Sequence, residues 1–129
     1  MRLLLDTHSA LWMFAGSPQI SAALQDDLTD LAHELFFSDA SAWEIVIKHA
    51  LGKLPLPGPP ATFVSSMLAQ HGIVRLPISV EAIYEWGQLP MIHRDRFDRM
   101  LVAQAVRGGC ALVTCDPEIQ KYSVAIHWR

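Results

Sequence analysis

Cysteine is scarce in this chain and long apolar runs are missing. Only Cys110 and Cys115 occur among 129 residues. They flank a stretch that reads as a strand, and a strand rising roughly 3.3 Å per residue holds them about 16 Å apart, beyond disulfide reach. Both are expected to be free thiols without a metal role. The apolar start Leu3-Leu4-Leu5 is cut short by Asp6, and no later run approaches the ~20 residues of a membrane span. Neither signal peptide nor anchor is expected, and the protein is expected in the cytosol with no membrane partner. Gly-rich phosphate loops, nucleophile elbows, Cys/His catalytic pairs and zinc-spaced Cys or His are also lacking. Those absences exclude loop-cradled nucleotide chemistry, serine or thiol hydrolysis, and a zinc centre.

Charge is sparse as well, at 18% of residues against 51% hydrophobic, with a mean hydropathy of +0.23. That apolar surplus predicts surface covered by a partner, either a second copy or another protein. The length fits one domain spanning residues 1–129, with one core. No internal repeat or low-complexity tail interrupts it.

The apolar segments that do occur are short: Arg2–Leu5, Leu35–Ser38, Ile73–Ile78, Ala111–Thr114 and Ser123–Trp128. They alternate with helical periodicity, which predicts an α/β fold with a mostly parallel sheet covered on both faces. One helix is expected after Ser17-Pro18, with Ser17 as N-cap and Ile20, Leu24, Leu28 and Leu31 facing the core. Another is expected from Asp39 to Leu51, with Ala40, Trp43, Ile47 and Leu51 on its apolar face and Gly52 closing it. Gly52 through Pro60 should be a loop or arm. A third long helix is expected from near Asp95 to Gly108-Gly109.

Four acids stand at matching places in this pattern. Asp6 and Asp116 each close an apolar strand, while Glu44 and Asp98 fall near helix starts. In a parallel sheet both strand ends and the first turns of the crossover helices share one edge, where such folds bind ligands. Each acid alone has a mundane reading. Asp6 and Asp116 suit helix N-caps, Asp95 and Asp98 have capping-box spacing, and Glu44 can pair with Lys48. Together they are harder to dismiss, because Asp6 follows a strand that should be buried and carboxylates are rarely buried unless paired or on metal. Two carboxylates ~4 Å apart repel by about 4 kcal/mol at an effective dielectric near 20. A hard divalent cation, Mg²⁺ or Mn²⁺, offsets that repulsion, and all-oxygen donors favour it over Zn²⁺. The formal charge of −3 is then local, since without these four acids the surface is slightly basic. His93, two residues before Asp95, reads as loop-ordering; the other histidines look incidental, and Trp12, Trp43, Trp86 and Trp128 read as core or interface.

The motifs Leu4-Leu5-Asp6-Thr7-His8, Ser41-Ala42-Trp43-Glu44-Ile45 and Gly52-Lys53-Leu54 occur in that order. They are followed by Asp95-Arg96-Phe97-Asp98-Arg99-Met100-Leu101, Thr114-Cys115-Asp116 and Tyr122-Ser123-Val124. In this the chain resembles PIN-domain ribonucleases, and among them VapC-type toxins of bacterial type II toxin–antitoxin modules. The resemblance implies a three-layer α/β/α sandwich and an endoribonuclease dependent on Mg²⁺ or Mn²⁺. It assigns Asp6, Glu44, Asp98 and Asp116 to the catalytic and metal-holding quartet, and Thr114 to a hydroxyl that orients an acid or a water. Asp95 becomes an outer member. The products would carry a 5′-phosphate and a 3′-hydroxyl, and the partners would be RNA, a cognate antitoxin and a second copy. Lys48, Arg94, Arg96 and Arg99, with Lys53 and Arg107, are candidates for the RNA backbone. Arg96 stands where relatives often carry proline, and Asp39 where a small or apolar residue is commoner. The rival reading is a PIN-fold protein-binding module with weak or no nuclease activity. A phosphoacceptor domain is disfavoured, since Thr7 and His8 rather than a second acid follow Asp6.

Overall fold

A computed structural model describes residues 1–129. The strands are β1 (Arg2–Leu5), β2 (Glu34–Ser38), β3 (Val74–Leu76) and β4 (Ala111–Val113), interleaved with six helices. Those are α1 (Thr7–Ala15), α2 (Ala22–Thr29), α3 (Asp39–Ala50), α4 (Pro60–His71), α5 (Val80–Gln88) and α6 (Arg96–Gly108). All four strands run parallel in the order β3-β2-β1-β4.

The period-two alternation of β1 explains the three layers. Leu3 and Leu5 join Met13, Leu24, Leu28, Phe37, Ile45 and Val64, so helices α1 to α4 supply the cover on that face. Leu4 points the other way, into Phe36, Leu101, Val102, Ala105, Leu112 and Ile119, beneath α6. Buried on both faces, β1 needs a continuous apolar run, and Leu3, Leu4 and Leu5 are each fully enclosed. The expected α/β/α sandwich with its parallel sheet is therefore the architecture observed.

Several local expectations are corrected. Ser17 does not cap a helix: its Oγ accepts from the Gln19 amide at 3.2 Å inside a turn, and Ile20 N bonds Ser17 O at 3.2 Å. The helix begins at Ala22, capped by Ser21, whose Oγ accepts from Leu24 N at 3.1 Å. It ends at Thr29, which leaves Leu31 fully exposed. Ser21 also donates to Arg129 O, fastening the C-terminus to α2. Ser21→Ala is accordingly expected to cost about 1 kcal/mol in urea unfolding, and Ser17→Ala less than about 0.5 kcal/mol. Equal costs would return the cap to Ser17.

On α3 the buried face is Ala40, Ser41, Glu44 and Ile45. The stripe expected there is displaced, since Trp43 and Leu51 stay 53% and 63% exposed. The helix is rotated so that its polar residues reach the sheet edge, which puts Glu44 on the buried face itself. Pro60, expected in the loop, opens α4 at the first helical position, where its missing N–H costs nothing. The segment Ser123–Trp128 is not a full strand. Ile126 forms a single parallel bridge to Leu112, held by Leu112 N to Ala125 O and His127 N to Leu112 O, each 2.8 Å.

Candidate active site

Asp6 leaves the end of β1, and its amide donates to Val113 O at 3.1 Å, which ties it beside the end of β4. It caps α1 through Oδ1, which accepts from Ser9 N at 2.7 Å, and only 5% of the residue is exposed. The mundane capping role is thus real, yet it leaves a carboxylate inside the protein. Burial raises the Asp6 pKa above its usual range, with the adjacent Ser9 and Thr114 side chains drawing it partly back. Thr114 is itself fully enclosed, and its Oγ1 accepts from Asp116 N at 3.0 Å. Asp116 Oδ1 accepts from Glu118 N at 2.9 Å, holding the turn before the short helix Ile119–Lys121.

Glu44 approaches from α3. Its Oε1 accepts from Thr7 Oγ1 at 2.8 Å, and its Oε2 takes Lys48 Nζ at 2.7 Å. Thr7 and Ser41, both buried, lie 2.9 Å apart at their hydroxyls, so the starts of α1 and α3 are joined through a hydroxyl pair that ends on the glutamate. A hydroxyl has one proton; with Thr7 donating to Glu44, Ser41 donates to Thr7.

Asp98 lies in the first turn of α6, behind the N-cap Asp95, whose Oδ1 accepts from Phe97 N and Asp98 N at 2.9 Å each. The Asp98 side chain does not close a capping box and instead faces His93 Nε2 at 3.3 Å. Its pKa is pushed up to about 7. Burial is the first cause, then the negative charge of Asp95, followed by those of Asp116 and Glu44, with the His93 hydrogen bond opposing them. Asp98 therefore senses acids carried by α3 and by the end of β4, across one sheet edge.

Gathered on that edge, the acids are not closed into a cage: no three acidic, histidine or cysteine side chains form a ready ligand set. Like charges explain the spacing, since each carboxylate takes a hydrogen-bond donor or a lysine in preference to another carboxylate. The donor set still fits a hard cation. It is all oxygen, it is largely desolvated, and the Asp98 pKa is raised by desolvation first and by the charges of Asp95, Asp116 and Glu44 after it. Cys115 is no thiolate donor here, because partial desolvation and then the charges of Asp6 and Asp116 raise its pKa.

The basic residues divide. Lys48 is committed to Glu44, while Arg94 and Arg96 are exposed. Arg99, expected on the RNA backbone, is corrected: it is only 2% exposed and faces inward. Its guanidinium lies 4.5 Å from the Trp86 ring centroid and donates to Pro90 O, Trp86 O and Tyr122 OH at 2.9, 3.2 and 3.2 Å. Thr7, Ser41 and Tyr122 were not singled out by sequence. They stand in the motifs that carry the family resemblance, but a hydroxyl beside an apolar segment is too common to be given a role from sequence.

A family model described as PIN domain matches residues 3–125. Over 52 residues the chain is 42% identical to Ribonuclease VapC16 of Mycobacterium tuberculosis, a match covering 40% of this chain and 36% of that relative. The chain thus covers little more than a third of that relative's length. A crystal structure of VapBC2 from Rickettsia felis, bound to a DNA fragment from their promoter, superposes with a TM-score of 0.75. The superposition covers 100% of both chains at 13% sequence identity, a likeness of fold.

Proposed function

The chain belongs to the PIN-domain family, and from that premise we propose that it is a Mg²⁺- or Mn²⁺-dependent endoribonuclease acting as the toxin of a type II toxin–antitoxin pair. The observation that carries this reading is the electrostatic strain at Asp98. This part-buried acid is pushed up to about 7 by desolvation first and then by the charges of Asp95, Asp116 and Glu44, and its one ion-pairing neighbour is His93 at 3.3 Å. Asp6, Glu44, Asp98 and Asp116 would hold the cation. When bound, such a cation acidifies a water molecule and neutralises charge on the phosphate.

The chain's own residues do the rest. Thr114 braces Asp6 from the neighbouring strand and holds the Asp116 turn through its Oγ1. Thr7 fixes one oxygen of Glu44, and Lys48 balances the other. Asp95 anchors the first turn of α6 and so sets the height of Asp98. Arg94 and Arg96, exposed at and just before the start of α6, would meet phosphates of the RNA backbone. Trp43 next to Glu44 and Phe97 next to Asp98 meet edge to face at 5.2 Å, and the exposed face of Trp43 would stack on an RNA base.

The antitoxin reading is supported by a groove of about 740 Å³ lined by Trp12, Met13, Phe14, Ile20, Gln70 and His71. Exposed Val80, Ile83 and Tyr84 on α5 support a second apolar contact, as a homodimer would need.

Antitoxin-free protein incubated with structured RNAs, including tRNAs, and Mg²⁺ or Mn²⁺ tests the proposal. Discrete cuts that vanish with EDTA and in Asp6→Asn are expected. Intact RNA throughout, with Mn²⁺ binding shown by calorimetry, would replace the nuclease with a protein-binding PIN module.

A further inference from the structure

Arg99 is a permanent cation with donors only, and it is buried. One of its nitrogens, Nη1, donates to the Tyr122 hydroxyl at 3.2 Å. The His93 amide approaches the same oxygen at 3.4 Å. Tyr122 itself is 4% exposed and packs in the core beneath α6. Its oxygen therefore faces two groups that can only donate, and its own proton has one acceptor, His93 Nδ1, at 2.8 Å. A neutral imidazole accepting at Nδ1 carries its proton on Nε2. That nitrogen lies 3.3 Å from Asp98 Oδ2.

Resting on the nuclease reading above, we propose that Tyr122 and His93 are positioning residues for Asp98. They form a one-way hydrogen-bond relay, Arg99 to Tyr122 to His93 to Asp98, that fixes the His93 tautomer and occupies one carboxylate oxygen. The other oxygen is left for the cation. Such outer partners orient carboxylate and imidazole ligands, and losing one typically costs about 10–100-fold in metal affinity. The relay explains why His93 sits five residues before Asp98: the loop ahead of α6 must turn back so that the ring bridges the core tyrosine and the helix start. His93 is not assigned a proton-transfer role, because Nε2–H points at a residue that must stay charged to hold a cation.

The test uses ¹⁵N-labelled full-length protein without metal at pH 8, reading the His93 ring nitrogens by NMR, and then Mn²⁺ titration by calorimetry. Wild type is expected to show Nδ1 unprotonated and hydrogen-bonded, with the proton on Nε2. Tyr122→Phe is expected to shift the Nδ1 resonance and to weaken Mn²⁺ binding about tenfold. His93→Ala should weaken it as much, while His93→Gln, whose amide nitrogen still donates to Asp98, should recover most of the affinity. A general acid or base would not be rescued by glutamine, and a purely structural tyrosine would move melting temperature without moving Mn²⁺ affinity. A proton on Nδ1 in wild type, or His93→Gln as weak as His93→Ala, overturns the relay. Should Tyr122→Phe fail to fold, those two readings still decide. RNA cleavage is scored separately: wild type that cuts RNA with Nδ1 protonated loses the relay alone, and intact RNA with the relay signature loses the nuclease alone.

Discussion

Asp98→Asn is expected to lower RNA hydrolysis at least about a thousandfold, roughly 4 kcal/mol of transition-state stabilisation, while making the metal-free protein more stable. The two effects share one cause. The wild-type carboxyl has a pKa of about 7 in the folded protein against 3.8 for an unperturbed aspartate. Between those values the native state binds more protons at this group than the unfolded state does, so the contribution of Asp98 to stability is fully present below pH 4 and is lost as pH rises to about 7. Asparagine cannot ionise, so it escapes that loss and still accepts from His93 Nε2. Since Asp98 is partly hydrated, screening trims the gain at pH 8 to an order of 1–2 kcal/mol. Urea unfolding of both proteins in EDTA at pH 5 and pH 8 reads it directly. Wild type should lose stability between those pH values more than Asp98→Asn does, and Mg²⁺ should restore wild type preferentially. Equal Mg²⁺ responses, or a variant less stable at pH 8, would remove Asp98 from the cation site.

The layers were legible because β1 must be apolar on both faces, and Leu3-Leu4-Leu5 is. The strand ends carried Asp6 and Asp116 to one edge by topology alone. Helix faces were less legible. On α3 the apolar count favoured Trp43 and Leu51, whereas the sheet edge drew in Ser41 and Glu44. A hydrogen bond from Thr7 and the pair with Lys48 compensate that burial; the lysine is legible from its one-turn spacing, while Thr7, on another helix, is not. Ser17-Pro18 has every mark of a helix start, but Ser21, four residues on, makes the cap. Such contests are settled by packing rather than local preference. His93 was legible as a loop-ordering residue, but its link to Tyr122 and Asp98 was not, because residues 93, 98 and 122 meet only after the sheet forms.

Arg99 shows the same limit with the largest consequence for stability. In sequence it is one of several arginines beside an acid, indistinguishable from Arg96. In the fold it donates to the carbonyls of Trp86, Leu89 and Pro90 and to Tyr122, and so closes the loop between α5 and α6. Arg99→Ala would orphan those acceptors and leave a void against Trp86, and is expected to cost about 3–5 kcal/mol in urea unfolding. Arg99→Lys should cost nearly as much, since an ammonium group cannot span the planar fork these acceptors occupy. A surface arginine replaced in the same way, Arg94→Ala, should stay within about 0.5 kcal/mol. The contrast separates two roles for neighbouring charges: Arg94→Ala would weaken RNA binding in a well-folded protein, while Arg99→Ala would lose the α5–α6 loop and His93 with it. If Arg99→Lys unfolds within about 0.5 kcal/mol of wild type, the guanidinium is not what holds the loop, and the wall behind Asp98 is built by packing alone.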